Sequence, residues 1–323
     1  MTAPDGSAPD TTRPVRTPTF DDLELAWQTV HSVLEPTPLV SSPIAASGSL
    51  KLETFQPTGA FKVRGGLAGV SALQEDQRAV TSSAGNHGLG VAWAAARLGR
   101  QATVVVPERS SAAKVAALRT YPIELVEHGA DYEAAEKYAL ELAAAEGASF
   151  ISAYNDPTVI AGQATIGREL DTQALGELTV VVPVGGGGLL AGLALWARSR
   201  PGVRLAGVES SKSRGISAAV AAGHIVRVPV GDTIADGLAG NLEPGSVTVG
   251  LVAGTQLVAV DDDELCVAMR WLFANHGLVS EGSGAAGIAA VLSGKIDIAG
   301  RLVVVVTGRN IAADRFAKIL QDN

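Results

Sequence analysis

The sequence predicts an α/β protein whose parallel strands are covered by helices on both faces. Three observations carry this. Short β-branched runs recur at 102–106, 123–126, 178–184, 203–208, 256–260 and 302–306. Helical patterns separate them, at 113–119, 131–146, 189–198 and 262–275. Glycine is abundant, 37 residues of 323, as tight joins between buried strands and helices require. Strands that are apolar on both faces and alternate with helices belong in parallel sheets buried on each side.

Residues 1–18 are rich in Pro, Thr and Asp and lack the apolar core of a signal peptide, so they read as a disordered leader. Order is expected from Thr19, where Thr19-Phe20-Asp21-Asp22 has the form of a capping box ahead of an amphipathic helix through Val33. The patterns at 131–146 and 262–275 are stopped by Gly147 and Gly277. No internal repeat or long linker interrupts the series. No apolar run reaches the roughly 18 residues needed to span a bilayer, so no membrane association is expected and the location is read as cytoplasmic. A net charge of −8 argues against nucleic acid as a partner. The single cysteine, Cys266, cannot form an internal disulfide and lies in a helix-like stretch, where a packed structural thiol is expected.

Four segments carry chemistry. The first, Gln56-Pro57-Thr58-Gly59-Ala60-Phe61-Lys62-Val63-Arg64-Gly65, sets one of only seven lysines beside an aromatic ring in a Pro/Gly-punctuated turn. A lysine becomes a Schiff-base nucleophile when burial depresses its pKa, because the neutral amine attacks. Alone, the same pair describes a surface lysine after a buried Phe61. The second, Thr81-Ser82-Ser83-Ala84-Gly85-Asn86-His87-Gly88, opens an Ala-rich helix running to about Leu98. Small residues and free amides at a helix N-terminus favour an anion such as a carboxylate, though an ordinary N-cap looks the same.

The third segment, Val182-Pro183-Val184-Gly185-Gly186-Gly187-Gly188-Leu189-Leu190-Ala191-Gly192, is a strand feeding four glycines into a helix. Bare amides there can approach a phosphate closely. A dinucleotide site is the rival: Gly186, Gly188 and Ala191 match G-x-G-x-x-A, and Glu209 ends the next strand about 20 residues on. The fourth, Val303-Val304-Val305-Val306-Thr307-Gly308-Arg309-Asn310, is a strand ending on a hydroxyl, which can bond a ring nitrogen without protonating it. An ordinary strand-end threonine reads identically.

Together, in this order, the four segments resemble the fold type II pyridoxal-phosphate enzymes, and within them the serine/threonine dehydratase branch. The resemblance spans nearly all of the chain after residue 35. Q-P-T-G-A-F-K-x-R-G, S-A-G-N-H, V-P-V-G-G-G-G and T-I-A-D-G (Thr233 to Gly237) are each specific, and Glu281-Gly282-Ser283-Gly284-Ala285-Ala286 adds a similar acidic turn. The dinucleotide reading explains neither Lys62 nor the Asn86 loop. The resemblance implies a tryptophan synthase β-subunit-like fold with two open twisted sheets. A large domain of 19–77 and 154–323 would bind the cofactor, and a small domain of 78–153 would close on substrate. It also implies a homodimer.

Carried over to this chain, the resemblance implies that Lys62 forms the Schiff base with pyridoxal 5′-phosphate and then takes the α proton. Phe61 would pack on the ring, Asn86 would bond the ring hydroxyl, and Gly185, Gly186, Gly187, Gly188 and the Leu189 amide would hold the phosphate. Thr307 would face the ring nitrogen. Ser83, Ala84, Gly85, Asn86 and His87 would bind the carboxylate of an amino-acid substrate. The implied reaction is dehydration and deamination of a hydroxyamino acid such as L-threonine or L-serine to a 2-keto acid and ammonia. A neutral hydroxyl at the ring nitrogen weakens the electron sink, which suits prompt β-elimination. The alternatives are a racemase or a β-replacement synthase of the same family.

Three departures refine this. Racemases of the branch carry a serine where this chain has Ala84, and without a second acid/base two-sided proton exchange is disfavoured. Metal-activated members place an acid six residues after the glutamate matching Glu209, where this chain has Gly215, with Ser213 at the intermediate ligand position, so no metal is expected. Many dehydratases read S-G-G-N where this chain reads Thr307-Gly308-Arg309-Asn310, so Arg309 is a candidate for recognising a distal substrate group such as a second carboxylate. The chain ends 13 residues after Asn310, without the regulatory domain of feedback-inhibited threonine dehydratases, which implies a catabolic role.

Overall fold

A computed structural model describes residues 13–321. Its strands are β1 Leu39–Ser42, β2 Gly48–Leu52, β3 Ala79–Ser82, β4 Ala102–Val106, β5 Glu124–Glu127, β6 Ser149–Phe150, β7 Leu178–Pro183, β8 Val203–Ser210, β9 Gln256–Val260 and β10 Arg301–Val306. Its α-helices are α1 Phe20–His31, α2 Lys62–Ser71, α3 Asn86–Leu98, α4 Ala112–Leu118, α5 Tyr132–Glu146, α6 Pro157–Gln173, α7 Gly188–Ala197, α8 Gly215–Ala222, α9 Thr248–Val252, α10 Asp262–His276, α11 Gly282–Leu292 and α12 Ala313–Gln321. Among the described residues no helix is long and apolar enough to cross a membrane.

Two sheets result, as expected. The larger runs β1-β2-β10-β7-β8-β9, parallel except for the β1–β2 hairpin at its edge, and the smaller runs β5-β4-β3-β6, parallel throughout. Successive residues of a strand point to opposite faces, and β7 shows what that does. Val180 and Val182 pack with α6 and α7, whereas Val181 packs with α10 and α11. Each face is therefore apolar, which is why these strands read as continuous Val/Ile/Leu runs and not as alternating ones.

Local signals place the helix ends. Thr19 and Asp22 form the reciprocal capping box of α1, and Asp261 with Glu264 forms another on α10. Gly147 and Gly277 end α5 and α10 in the left-handed region, at φ 64° and 63°. The expected leader lies outside the described residues as far as residue 12. Its remainder is tied down: Arg13 donates to the Asn155 carbonyl at 2.5 Å, and Arg16 holds Asp22 with both guanidinium ends at 2.6 and 2.7 Å.

Helices α2 and α3 meet backbone to backbone. A Cβ on Gly66 would lie 2.6 Å from the Gly90 carbonyl carbon, and one on Gly90 would lie 2.8 Å from the Lys62 carbonyl oxygen. Val63, Leu67 and Val91 fill the contact together with Ile151 and Val159. The first turns of the two helices, which carry Lys62 and Asn86, are thereby held side by side.

Candidate active site

The site gathers where strands end. In parallel sheets the carboxyl ends share one edge, and loops leaving that edge build ligand sites. Here β10 leads to Thr307, β7 to the four glycines and β3 to Ser83. Extended pairing joins the lysine segment to the exit of β10: the Phe61 amide donates to the Thr307 carbonyl at 3.0 Å, Ala60 bridges Gly308, and the Arg309 amide donates to the Gly59 carbonyl at 2.9 Å. Lys62 is the first residue of α2, so it begins a helix instead of sitting within the turn.

The half-buried Lys62 amine donates to the Ala153 carbonyl at 2.6 Å and lies 5.3 Å from the Phe61 ring centre. Loss of solvation pulls its pKa from 10.5 down to about 8, with no charged neighbour contributing. An appreciable share of the amine is then neutral near physiological pH, the state in which it is a nucleophile.

The Asn86 loop comes to the same place. Asn310 donates to the Thr58 carbonyl at 2.8 Å and to the Asn86 side-chain oxygen at 2.6 Å, and Asn86 donates to Glu281 at 2.7 Å. No side chain caps α3, which leaves its first-turn amides at Asn86 and His87 without the usual partner. Within the loop, the Ser83 hydroxyl accepts from the Gly85 amide at 3.2 Å. His87 is buried and neutral, its pKa driven down to about 3 first by burial and then by Lys62. Its Nε2 faces the Ile151 carbonyl at 3.1 Å and must donate there, so Nδ1 is a buried acceptor lacking a protein partner.

The four glycines form a cradle that side chains would fill. A Cβ on Gly186 would stand 2.3 Å from the Tyr154 ring, one on Gly188 2.9 Å from the Tyr154 Cα, and one on Gly185 3.0 Å from the Gly237 carbonyl oxygen. Gly187 adopts φ 86°, open to glycine but strained for other residues. The cradle ends on α7, whose first turn, beginning at Gly188 and Leu189, has no side-chain cap. Tyr154 directly follows Ala153, the acceptor for Lys62, so the cradle and the lysine share one wall.

A half-buried nucleophilic amine, a glycine cradle at a helix N-terminus, an unpaired histidine nitrogen and a buried strand-end threonine fit a phosphorylated carbonyl cofactor. Arg309 has a different partner from the one expected. Its exposed side chain donates to the Thr54 carbonyl and packs over Gly59, bracing the lysine turn. Glu209 is likewise committed, because both of its oxygens accept from α8: from the Ile216 amide at 2.9 Å, from the Ser217 amide at 3.2 Å and from the Ser217 hydroxyl. Among the described residues no cluster of His, Cys, Asp and Glu could hold a metal. Sequence reasoning missed the backbone acceptor Ala153 and the wall residue Tyr154, since neither carries a motif signal. The carboxyl of Glu281 was visible only as part of an acidic turn.

Comparison with known proteins places the chain among relatives of known family. The L-threonine ammonia-lyase of Thermotoga maritima is 36% identical over 314 residues, covering 94% of this chain and 78% of the relative. The catabolic L-threonine dehydratase TdcB of Escherichia coli is 38% identical over 279 residues, 84% of each chain. Among solved structures, maize serine racemase superposes with a TM-score of 0.87 at 30% identity, covering 94% of this chain and 97% of that one. The processed form of threonine deaminase isoform 2 from Solanum lycopersicum does so with 0.86 at 29% identity, covering 98% of both chains. Residues 30–308 match one family as a whole, and the chain belongs to it: the pyridoxal-phosphate dependent enzymes.

Proposed function

We propose that the protein dehydrates and deaminates a β-hydroxy amino acid, of the threonine and serine kind, to a 2-keto acid and ammonia. The observation that carries the choice of reaction is Ala84. It stands at the position where racemases of the branch carry a serine, and its methyl group cannot move a proton. Lys62 is then left as the base, its amine lowered to about 8 by burial.

The residues divide the work. The amides of Gly185 to Leu189 would hold the cofactor phosphate, Asn86 would hold the ring hydroxyl, Phe61 would pack on the ring, and Thr307 would offer the ring nitrogen a hydroxyl that does not protonate it. Lys62 would be the residue that holds the cofactor, and its Nζ would take the α proton of the substrate. Ser83 and the amides around Ala84, Gly85, Asn86 and His87 bind the substrate carboxylate at the N-terminus of α3. Bound pyridoxal phosphate supplies the electron sink for the pair left when the α C–H bond breaks. Residues 78–153 act as the small domain that closes on substrate and excludes water. A homodimer in the cytoplasm belongs to the same reading and rests on the family resemblance.

The test is a panel of L-serine, L-threonine and 3-hydroxyaspartate offered to the holoenzyme, with keto acid, ammonia and the D-enantiomer all quantified. The reading expects keto acid and ammonia in equal amounts from at least one member. Accumulation of the D-amino acid as the main product would replace it with racemisation.

A further inference from the structure

Two residues beyond Lys62, the fully buried Arg64 enters an ionic network with three other buried side chains. Its Nε and one terminal nitrogen grip both oxygens of Glu53 at 2.8 Å each, and the other terminal nitrogen reaches Glu169 at 2.6 Å. Glu169 also binds Lys51, whose amine donates in addition to the Thr37 carbonyl and to Gln173, each at 2.7 Å. The Thr37 hydroxyl completes Glu53 at 2.6 Å. Two cations and two carboxylates thus balance, all removed from water.

Burying such a set is costly, and well-packed apolar residues of similar volume usually stabilise a fold at least as well. What the ions add here is geometry. Glu53 precedes the lysine turn and Arg64 follows it, so their forked contact closes the chain segment that contains Gln56 to Lys62. A bidentate fork fixes rotation as well as distance. Successive helix residues turn by about 100°, so Arg64 lies roughly 200° around α2 from Lys62. Anchoring Arg64 on one side therefore aims Lys62 toward the other, where its amine meets the Ala153 carbonyl. The two cations and two carboxylates of the network cancel, so it acts on Lys62 through position.

We infer that the Glu53–Arg64 fork is the positioning device of Lys62, setting the direction of its amine toward the cofactor and the substrate α carbon. The inference rests on the reading of Lys62 as the covalent residue. A 1 Å misplacement of a reacting group can cost on the order of a hundredfold in rate.

The test follows attachment of pyridoxal phosphate to the apoprotein by absorbance, with melting temperature, kcat and KM measured beside it. Arg64→Met combined with Glu53→Leu removes the fork and leaves Lys51 and Glu169 paired. Arg64→Lys keeps the charge and loses the fork, which provides a second route if the double variant does not fold. Both should attach cofactor at least about tenfold more slowly and lose kcat by a similar factor with KM little changed. Lys51→Met combined with Glu169→Gln, which spares the fork, should lower the melting temperature and attach at the wild-type rate. Wild-type attachment in a folded fork variant, or equal slowing in the Lys51/Glu169 variant, overturns the inference alone. Cofactor found on a lysine other than Lys62 in the wild-type protein overturns the functional reading and this inference with it.

Discussion

Asn86 donates its side-chain amide to Glu281 at 2.7 Å, joining the N-terminus of α3 to that of α11. The carboxyl is buried, and burial first, then the charge of Asp236, raises its pKa from 4.5 to about 7.

A group whose pKa is raised by folding contributes stability that is present in full below its unfolded pKa and is lost as pH climbs through its folded one. The apoprotein should therefore lose on the order of 3 kcal/mol between about pH 4.5 and pH 7 through Glu281. Glu281→Gln keeps an acceptor for Asn86 and removes the titration. Denaturant unfolding at pH 5 and pH 8 should show a smaller decline in the variant. Equal declines in the two proteins would mean that Glu281 titrates as an ordinary carboxylate.

Ala84→Ser places a hydroxyl where the chain now has a methyl group. The variant should interconvert D- and L-substrate at least about tenfold faster than wild type while elimination persists, since general acid/base groups contribute at least that much. Chiral chromatography of unreacted substrate reads this directly. Strong racemisation by the unaltered enzyme would remove Ala84 from the argument.

Glu209 is held by the Ile216 and Ser217 amides and the Ser217 hydroxyl at the start of α8. It takes the part of the side-chain cap that Arg214 does not supply there. Exhaustive treatment with a chelator should therefore leave melting temperature and turnover unchanged, while Ser217→Ala should destabilise the protein by about 1 kcal/mol, the usual worth of such a contact. A large loss of activity on chelation, restored by a divalent cation, would contradict this.

Arg309 braces the lysine turn through the Thr54 carbonyl. Arg309→Gly should cost on the order of 1 kcal/mol in stability and should lower kcat/KM equally for an acidic and a neutral hydroxyamino acid. A loss confined to the acidic substrate would return Arg309 to substrate recognition.

The large features were legible because their causes are local. The run at 256–260 and β9 coincide, and Gly147 and Gly277 stop α5 and α10 as their left-handed φ values require. The hairpin strands β1 and β2 were not read, because the polar Ser41, Ser42, Ser49 and Lys51 break the apolar run. Lys51 is buried with its amine held by Glu169 and Gln173, both distant in sequence, and by the Thr37 carbonyl. Helix α11 was missed for a related reason: its many small residues carry little hydrophobic pattern and let it pack closely under β10, where a Cβ on Gly287 would meet Val304 at 2.7 Å. In the site, Lys62, the four glycines and Thr307 announced themselves by residue type. Ala153 acts through its backbone and Arg309 through a partner 255 residues away, and neither relation is written in a local window.

The most direct test of the account is reduction of the holoenzyme with borohydride followed by peptide mapping, with Lys62→Ala treated in parallel. The account expects the reduced cofactor on the peptide containing Lys62 alone, and expects Lys62→Ala to lose both the visible absorbance and nearly all keto-acid formation while remaining folded. Cofactor fixed to any of the other lysines, or turnover surviving in Lys62→Ala, would contradict it.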